Sequence, residues 1–546
     1  MFFKIVKSKE FYYLQLVHSY RLNGKTKQKV ILNFGSVDQL KKSGFLERTA
    51  KKLLKLDGKS IPTINDLEEL SRFCYGDIVY RKLWNRYRID ELLKECRKHN
   101  NIKYDFETTV YLMVIDRLLR PQSKLATFNK QGRYIGIKDV SLHHLYRSLD
   151  ILADKKKQIE RHLFDRSRSL FNTKIDVVFY DVTTFGFQSL RSDELKEFGY
   201  SKSGRFNEVQ VVMGLLIDTE GHPIGFEVFA GNTFDGKTVI TSLKKLEEDF
   251  QIRQVIIVAD AGINSAKNLY QIKQAGYEYI IRARLRSFSN SLKQQILNEE
   301  GYVDVGKDDN GEVSLRYKNI EDHSFEYVDT EGKRHRINDR IIVYWSKELS
   351  ERNKTDRQRA IKKAEQVVST QRSINDKKGY RRYIQTEGKG KVMGIDQRRI
   401  EEDSRLDGYM AIESSVRDLD VVRIIEEYHQ LWKIEESFRV LKTTMQTEPI
   451  FVWTPKRIIG HFVTCFIAFL LERVLEGKVK KNGITATAET IREAVNSLEL
   501  SEVKYNENVF YLRSKHNPLA SKILNILKIK HLKNVIDKEE ISSYLS

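Results

Sequence analysis

Two short apolar runs that end in aspartate, IDVVFYD at 175–181 and QVIIVAD at 254–260, constrain the fold more than anything else in this chain. Both are too short for a stable helix and rich in β-branched residues, so each reads as a buried strand. Between them, VQVVMGLLID and PIGFEVFAG flank the polar turn TEGH as an antiparallel hairpin, and GKTVITSLKKLEEDF carries helical spacing. After the second run come the helical NSAKNLYQIKQAG and the strand YEYIIRAR. The order strand, hairpin, helix, strand, helix, strand predicts a mixed α/β sheet.

This core, predicted for 171–284 and 405–475, is interrupted. Residues 285–404 are polar and turn-rich (DVGKDDNGEVSLRYKN, DTEGKRHRIND), with one strong strand, RIIVYW, and one charged helix, KELSERNKTDRQRAIKKAEQVV. A stretch of that length inside one sheet reads as an inserted β-rich subdomain rather than a loop, and GYMAIESS at 408–415 resumes the core. Residues 1–57 hold the β-like runs YYLQLVHSYR and KQKVILNFG around the turn signal Asn23-Gly24, then the basic AKKLLKLDGK, which together suggest a small basic module. Residues 58–170 repeat apolar residues at helical intervals, as either a DNA-recognition region or a helical scaffold. Residues 476–546 form a C-terminal region of short helices and strands.

Composition narrows the partners. Lys and Arg outnumber Asp and Glu by 95 to 75, and the net charge of +20 favours a polyanion, most simply nucleic acid, although a basic surface has the same composition. Cys74, Cys96 and Cys465 have no zinc-like or disulfide-framework spacing. The opening MFFKIVKSKEFYYLQLVHSYR breaks its apolar residues with charges, unlike a signal peptide. FVTCFIAFLL at 462–471, bounded by Arg457 and Glu472, is shorter than the roughly 20 residues a bilayer demands and reads as a buried core helix. A cytosolic chain is expected.

Asp181 and Asp260 each close a predicted strand, at the carboxyl ends of the strands where open α/β folds bind ligands. Two carboxylates on neighbouring strands repel unless a cation lies between them, and oxygen donors suit Mg²⁺ or Mn²⁺. Alternatively, Asp181 begins a turn and Asp260 caps the helix that DAGINSAK opens. Further on, YHQLWKIEESFRVLK at 428–442 is amphipathic. At ~100° per residue, Tyr428, Glu435, Arg439 and Lys442 fall within an arc of about 60°, beside an apolar stripe of Ile434, Phe438, Leu441 and Met445. Glu435 and Arg439 suit an ordinary i, i+4 pair. Lys442, two turns or about 10 Å beyond Glu435, is placed instead for a phosphate.

The segment resembles the DDE transposases of bacterial insertion sequences, in the IS4-like branch with the signature Y-x2-R-x3-E-x6-K. Tyr428, Glu435 and Lys442 match at that spacing, FYDVTTF and GYSKSGRFNEVQVVMGLLID are similar to the first aspartate region, and VIIVADAGINSAKNL to the second. The match spans roughly 175–470. It implies a ribonuclease-H-like catalytic core with Asp181, Asp260 and Glu435 as catalytic, Mg²⁺-binding residues, Mn²⁺ substituting. It also implies that Tyr428 and Lys442 bind phosphates of the transposon end. The signature arginine is Leu431 here, so that contact is either lost or supplied elsewhere, as by Arg439. Some members of the branch form a DNA hairpin, which calls for an aromatic platform, and Trp345 is the candidate, or else a strand tryptophan in its own core.

The resemblance further implies a transposase that cleaves and joins strands at terminal inverted repeats and target DNA as a homodimer on paired ends. It would be cytoplasmic in a bacterium and associated with the nucleoid when bound to DNA. A structure-selective nuclease or resolvase, or a catalytically silent DNA-binding descendant, are the alternatives. His222 reads as a turn residue and His461 as a satisfied core histidine. Gly204 and Gly262 belong to no phosphate-binding loop, so ATP dependence is not expected.

Overall fold

The computed structural model describes residues 1–541 except 23–24, 59–66, 100–101, 138, 172–176, 200–206, 253–254, 371–378, 388–390, 506–507 and 538. The Asn23-Gly24 turn, Gly204 and part of GYSKSGRFNEVQ lie outside the described residues.

At the N-terminus β1 (Phe2–Ser8), β2 (Phe11–Leu22) and β3 (Lys25–Ser36) form an antiparallel three-stranded sheet, followed by α1 (Val37–Lys42) and α2 (Phe45–Leu56). The rings of Phe3 and Phe34 lie 5.8 Å apart and those of Phe34 and Phe45 6.3 Å, which fastens α2 to the sheet. Two of the three strands coincide with the β-like runs of the sequence.

The next region is mainly helical, as its periodicity predicts. Asp105 caps α3 (Phe106–Leu119), its carboxylate accepting from the Thr108 N–H at 3.1 Å, and Ser141 caps α4 (Leu142–Asp154). One strand departs from the expectation: β4 (Leu67–Cys74) precedes the helices.

The central sheet begins with β5 (Val177–Gly186), β6 (Gln210–Ile217) and β7 (Pro223–Ala230). It continues through α5 (Asp235–Glu248), β8 (Ile256–Ala259), α6 (Ala266–Gln274) and β9 (Glu278–Arg282). The lateral order is β9-β8-β5-β6-β7; β5, β8 and β9 run parallel, while β6 and β7 return antiparallel. That order and those directions are those of a ribonuclease-H-like core.

The long interruption differs from the expectation of a separate subdomain. Its strands β10 (Val303–Lys307), β11 (Val313–Val328) and β12 (Arg334–Ser346) join the same sheet. Among the described residues of the insertion, only β13 (Ile384–Glu387) and β14 (Lys391–Ile395) pair apart, beside the helix Lys347–Ser369. The returning β15 (Tyr409–Ser414) slots between β12 and β9, so one nine-stranded sheet results. The reason is hydrogen bonding: β9 would otherwise expose an unpaired edge, and β15 satisfies it.

After β15 come α7 (Val421–His429), α8 (Trp432–Arg439) and α9 (Pro455–Lys481). Then β16 (Glu499–Tyr505), β17 (Asn508–Arg513) and β18 (Val535–Asp537) build a second sheet whose last member is β4, paired with β16. The pleat sorts the core. Phe179, Val258, Ile280, Ile342 and Ile412 point to the side of α3, α4, α7, α8 and α9, whereas Val178, Tyr180, Ile257 and Tyr279 lie under α5 and α6.

Helix α9 is longer than FVTCFIAFLL suggested, and by length and composition it is apolar enough to cross a membrane. Yet 89% of its most apolar stretch is buried inside the protein, in agreement with a core helix. It approaches α4 so closely that a Cβ at Gly460 would stand 2.0 Å from the Leu149 carbonyl oxygen, and only glycine fits there.

Candidate active site

The parallel register brings the two aspartates together. On β5 and β8, Tyr180 is the partner of Ala259, so Asp181 and Asp260 follow side by side, on strands about 4.8 Å apart. On β8 and β9, Ala259 is the partner of Ile281, which sets Arg282 beside Asp260. Alternation then turns Asp181, Asp260 and Arg282 to the face of Phe179, Val258 and Ile280, the one that α7 and α8 cover.

Neither aspartate has the structural role that competed with this reading. Asp181 does not begin a turn: β5 runs on to Gly186 because β6 lines its other edge, with Leu215 opposite Asp181. Only the parallel pairing stops at Tyr180. The Asp181 carboxylate accepts from the Val182 N–H at 2.7 Å. Asp260 makes no side-chain cap, and α6 is capped by Ser265 instead. The Asp260 carboxylate, about half exposed, faces the Arg282 guanidinium at 3.5 Å.

Glu435 lies in the first turn of α8, exposed. The expected Glu435–Arg439 pair is absent; Arg439 pairs with Glu436 at 3.2 Å, and its side chain is otherwise exposed. Tyr428, at the end of α7, is buried. Burial pushes its hydroxyl well up in pKa; the Arg282 cation opposes this, and the negative charges of Asp260 and Glu435 add to it. Asp260, Arg282 and Glu435 thus act electrostatically on one phenol. Among the described residues no three His, Cys, Asp or Glu side chains converge closely enough to enclose an ion. Asp181 and Asp260 lie side by side on the face that α7 and α8 cover, Glu435 is carried by α8, and Arg282 supplies positive charge beside Asp260. All-oxygen donors of this kind fit a hard divalent cation.

Lys442 leaves the arc drawn for it, because α8 gives way to a π-helical turn over Val440–Thr444 that changes the angular register. Its ammonium lies 5.1 Å from the Phe185 ring centroid and 4.0 Å from the Glu448 carboxylate, whose other oxygen accepts from the Gly186 N–H at 3.0 Å. Phe185 is four residues past Asp181 on the same face of β5, so Lys442 stands downstream of the aspartates, about 13 Å along the strand. Ile434, Phe438, Leu441 and Met445 are buried, as the apolar stripe predicts, and so is Leu431.

Trp345 takes the other course. It alternates with Tyr344, and the pleat turns it to the side of Ile341 and Val343, opposite the aspartate face. Its indole N–H donates to the Asp407 carbonyl at 3.2 Å, and the Arg316 guanidinium covers its ring at 5.3 Å. As placed, it is a packing residue of the strand.

Several groups escaped the sequence reading. Arg282 is the first charged residue after the apolar Tyr279-Ile280-Ile281. Arg284 and Arg286 follow it into a cleft of about 330 Å³ beside Ala261. Trp432, 53% exposed, lies one turn before Glu435 on the same side of α8. His222 is a turn residue, as read: its backbone N–H donates to the Asp218 carboxylate at 2.8 Å, and its Nδ1 lies 3.3 Å from the same carboxylate. His461 is a satisfied core histidine: its Nε2 lies 3.1 Å from the Thr447 carbonyl, and burial drives its pKa far down.

Two family descriptions match the chain: "Transposase DDE domain" over residues 172–471 and "IS1634 family transposase, N-terminal domain" over residues 3–63. No curated protein matches. Among solved structures, the chain resembles a piggyBac transposase in a synaptic complex with hairpin DNA, with TM-score 0.36 and 8% identity over 78% of this chain and 82% of that one. That likeness is too distant to bear on mechanism.

Proposed function

This chain belongs to the DDE transposases, whose domain spans residues 172–471, and from that premise we propose that Asp181, Asp260 and Glu435 form its catalytic, metal-holding triad. The chain is a DNA transposase, and its enzymatic activity is DNA strand cleavage and transfer. The observation that carries the triad is the side-by-side register of Asp181 and Asp260 on the face that α8 covers. The three carboxylates would hold Mg²⁺, with Mn²⁺ able to substitute. Such ions, when bound, would supply activation of water or a 3′-hydroxyl and stabilisation of the leaving 3′-oxygen.

The other residues act on DNA. Arg282, now beside Asp260, turns its guanidinium to a backbone phosphate and takes the place of the arginine that Leu431 removed from the signature. Tyr428 donates its hydroxyl, kept protonated by burial, to the same phosphate. Lys442 binds a phosphate farther along β5, and the exposed Arg439 contributes charge at the rim. Trp432, rather than Trp345, offers a stacking face next to Glu435 for an unpaired base. The substrates are the element's terminal inverted repeats and a target duplex. Two copies cooperate on paired ends, in the bacterial cytoplasm at the nucleoid.

The test is an assay with a labelled element end, a target plasmid and Mg²⁺. The wild-type chain is expected to cleave and join. Asp181→Asn, Asp260→Asn and Glu435→Gln are each expected to lose both activities by at least about 10³-fold while still shifting the end duplex. Cleavage without joining would favour a nuclease or resolvase, and normal processing by the Glu435 variant would refute the triad.

A further inference from the structure

The N-terminal module has a feature the catalytic reading does not use. Strand β1 stops beside β2 at the Phe2–Val17 pair, but β2 and β3 continue past it as a bare two-stranded ribbon. The pairs along it are His18 with Lys29, Ser19 with Gln28, Tyr20 with Lys27, Arg21 with Thr26 and Leu22 with Lys25. Every one of these residues is exposed.

Alternation divides the ribbon into two faces. One carries Lys25, Lys27 and Lys29 opposite Leu22, Tyr20 and His18. The rings of His18 and Tyr20 lie nearly parallel there, 14° apart with centroids 6.3 Å apart. Ser19, Arg21, Thr26 and Gln28 form the other face, where the Lys4 ammonium donates to Gln28 at 2.8 Å. No acidic residue occurs between Glu10 and Asp38, so nothing on the ribbon neutralises the lysines.

We infer that this ribbon docks into the major groove of the element's end, with the Lys25, Lys27 and Lys29 face toward the DNA. The inference rests on the transposase reading above and assigns the module's partner. The major groove, about 12 Å wide, admits a two-stranded β-ribbon. Lysines two residues apart on a strand stand about 6.7 Å apart, close to the ~6.8 Å rise of two base pairs. Three unopposed ammoniums supply phosphate affinity, while Tyr20 and Leu22 between them present apolar surface to thymine methyl groups and so contribute selectivity. An acidic protein partner would engage the charges but has no use for a ribbon of groove width.

The test uses the full chain and gel-shift titrations over a range of salt, with a duplex of the element's terminal repeat and a scrambled duplex of the same composition. The variant Lys25→Ala/Lys27→Ala/Lys29→Ala is compared with Lys41→Ala/Lys42→Ala/Lys55→Ala, which removes the same charge from α1 and α2. The ribbon variant is expected to bind the repeat at least tenfold more weakly, its log–log salt slope flattened by about 2.7, or ~0.9 for each lost phosphate contact. The helix variant is expected to stay near wild type. Tyr20→Ala is expected to narrow the preference for the repeat over the scrambled duplex about fivefold with the salt slope unchanged. Equal weakening by both triple variants, or an unaltered slope in the ribbon variant, overturns the inference while leaving the transposase reading intact. A wild-type chain that does not distinguish the two duplexes overturns the end-binding reading and the ribbon with it.

Discussion

Asp181 and Asp260 are interchangeable to a composition count but not to the fold. Asp181 is fixed within β5 by its pairing with β6, whereas Asp260 sits where β8 ends and faces Arg282. The Arg282→Ala variant is therefore expected to weaken binding of the end duplex about tenfold, as loss of one charge-assisted phosphate contact does, and to leave thermal stability unchanged. Gel shift and a thermal melt check both. A second prediction concerns pH. Glu472 on α9 is buried, its Oε2 accepting from the Tyr80 hydroxyl at 2.6 Å, and burial pushes its carboxyl up to about 8 from an ordinary 4.5. Between those values the folded chain keeps a proton that the unfolded chain has lost, so stability falls as pH rises across that window and levels off above it. Glu472→Gln, which cannot ionise, is expected to melt a few degrees above wild type at about pH 9 and to match it near pH 4.5. The two aspartates were legible because each ends a recognisable apolar run. Arg282 and Trp432 were not, because their meaning comes from which strand or carboxylate stands beside them, and no periodicity records that.

Among the elements, the strands of the ribonuclease-H-like core could be read directly, since β5, β8 and β9 are short, apolar and separated by helices. The insertion could not. RIIVYW is plainly a strand, yet its membership of the central sheet depends on β15 pairing with both β12 and β9, a contact across a long stretch of chain. The two readings of Trp345, DNA platform or strand tryptophan, could not be separated in the sequence for a related reason: a one-residue step along a strand reverses the face, and only the register tells which face is which. Lys442 moved because five residues wound as a π turn rather than an α turn. The contact between α9 and α4 is a matter of one residue. Gly460→Ala would press a methyl into the Leu149 backbone and is expected to destabilise the chain by about 2–3 kcal/mol, read from urea denaturation.

At the scale of the whole molecule, the region that precedes the catalytic core and the region that follows it are tied together. Strand β4, in the region that reads as helical, completes the sheet of the C-terminal β16, and one core runs from Cys74 to Ile541. The catalytic family match ends at residue 471, but the fold does not. A chain truncated before Glu499 is expected to be cut rapidly by trypsin within residues 67–170, where the full-length chain resists; limited proteolysis with mass mapping decides it. The +20 charge signalled a polyanion, but only the structure shows that Lys25, Lys27 and Lys29 share one face of an exposed ribbon.

The return of β15 into the sheet also orders events during synthesis on the ribosome. Both aspartates are made, and β5 and β8 can pair, while the insertion is still being synthesised, whereas α8 follows β15 in the chain and is made only after it. On the proposed roles of the ribbon and of Glu435, a translation product cut short between residue 170 and Glu435 would hold DNA without breaking it, and a damaged message would yield a competitor for the element's ends instead of a stray nuclease.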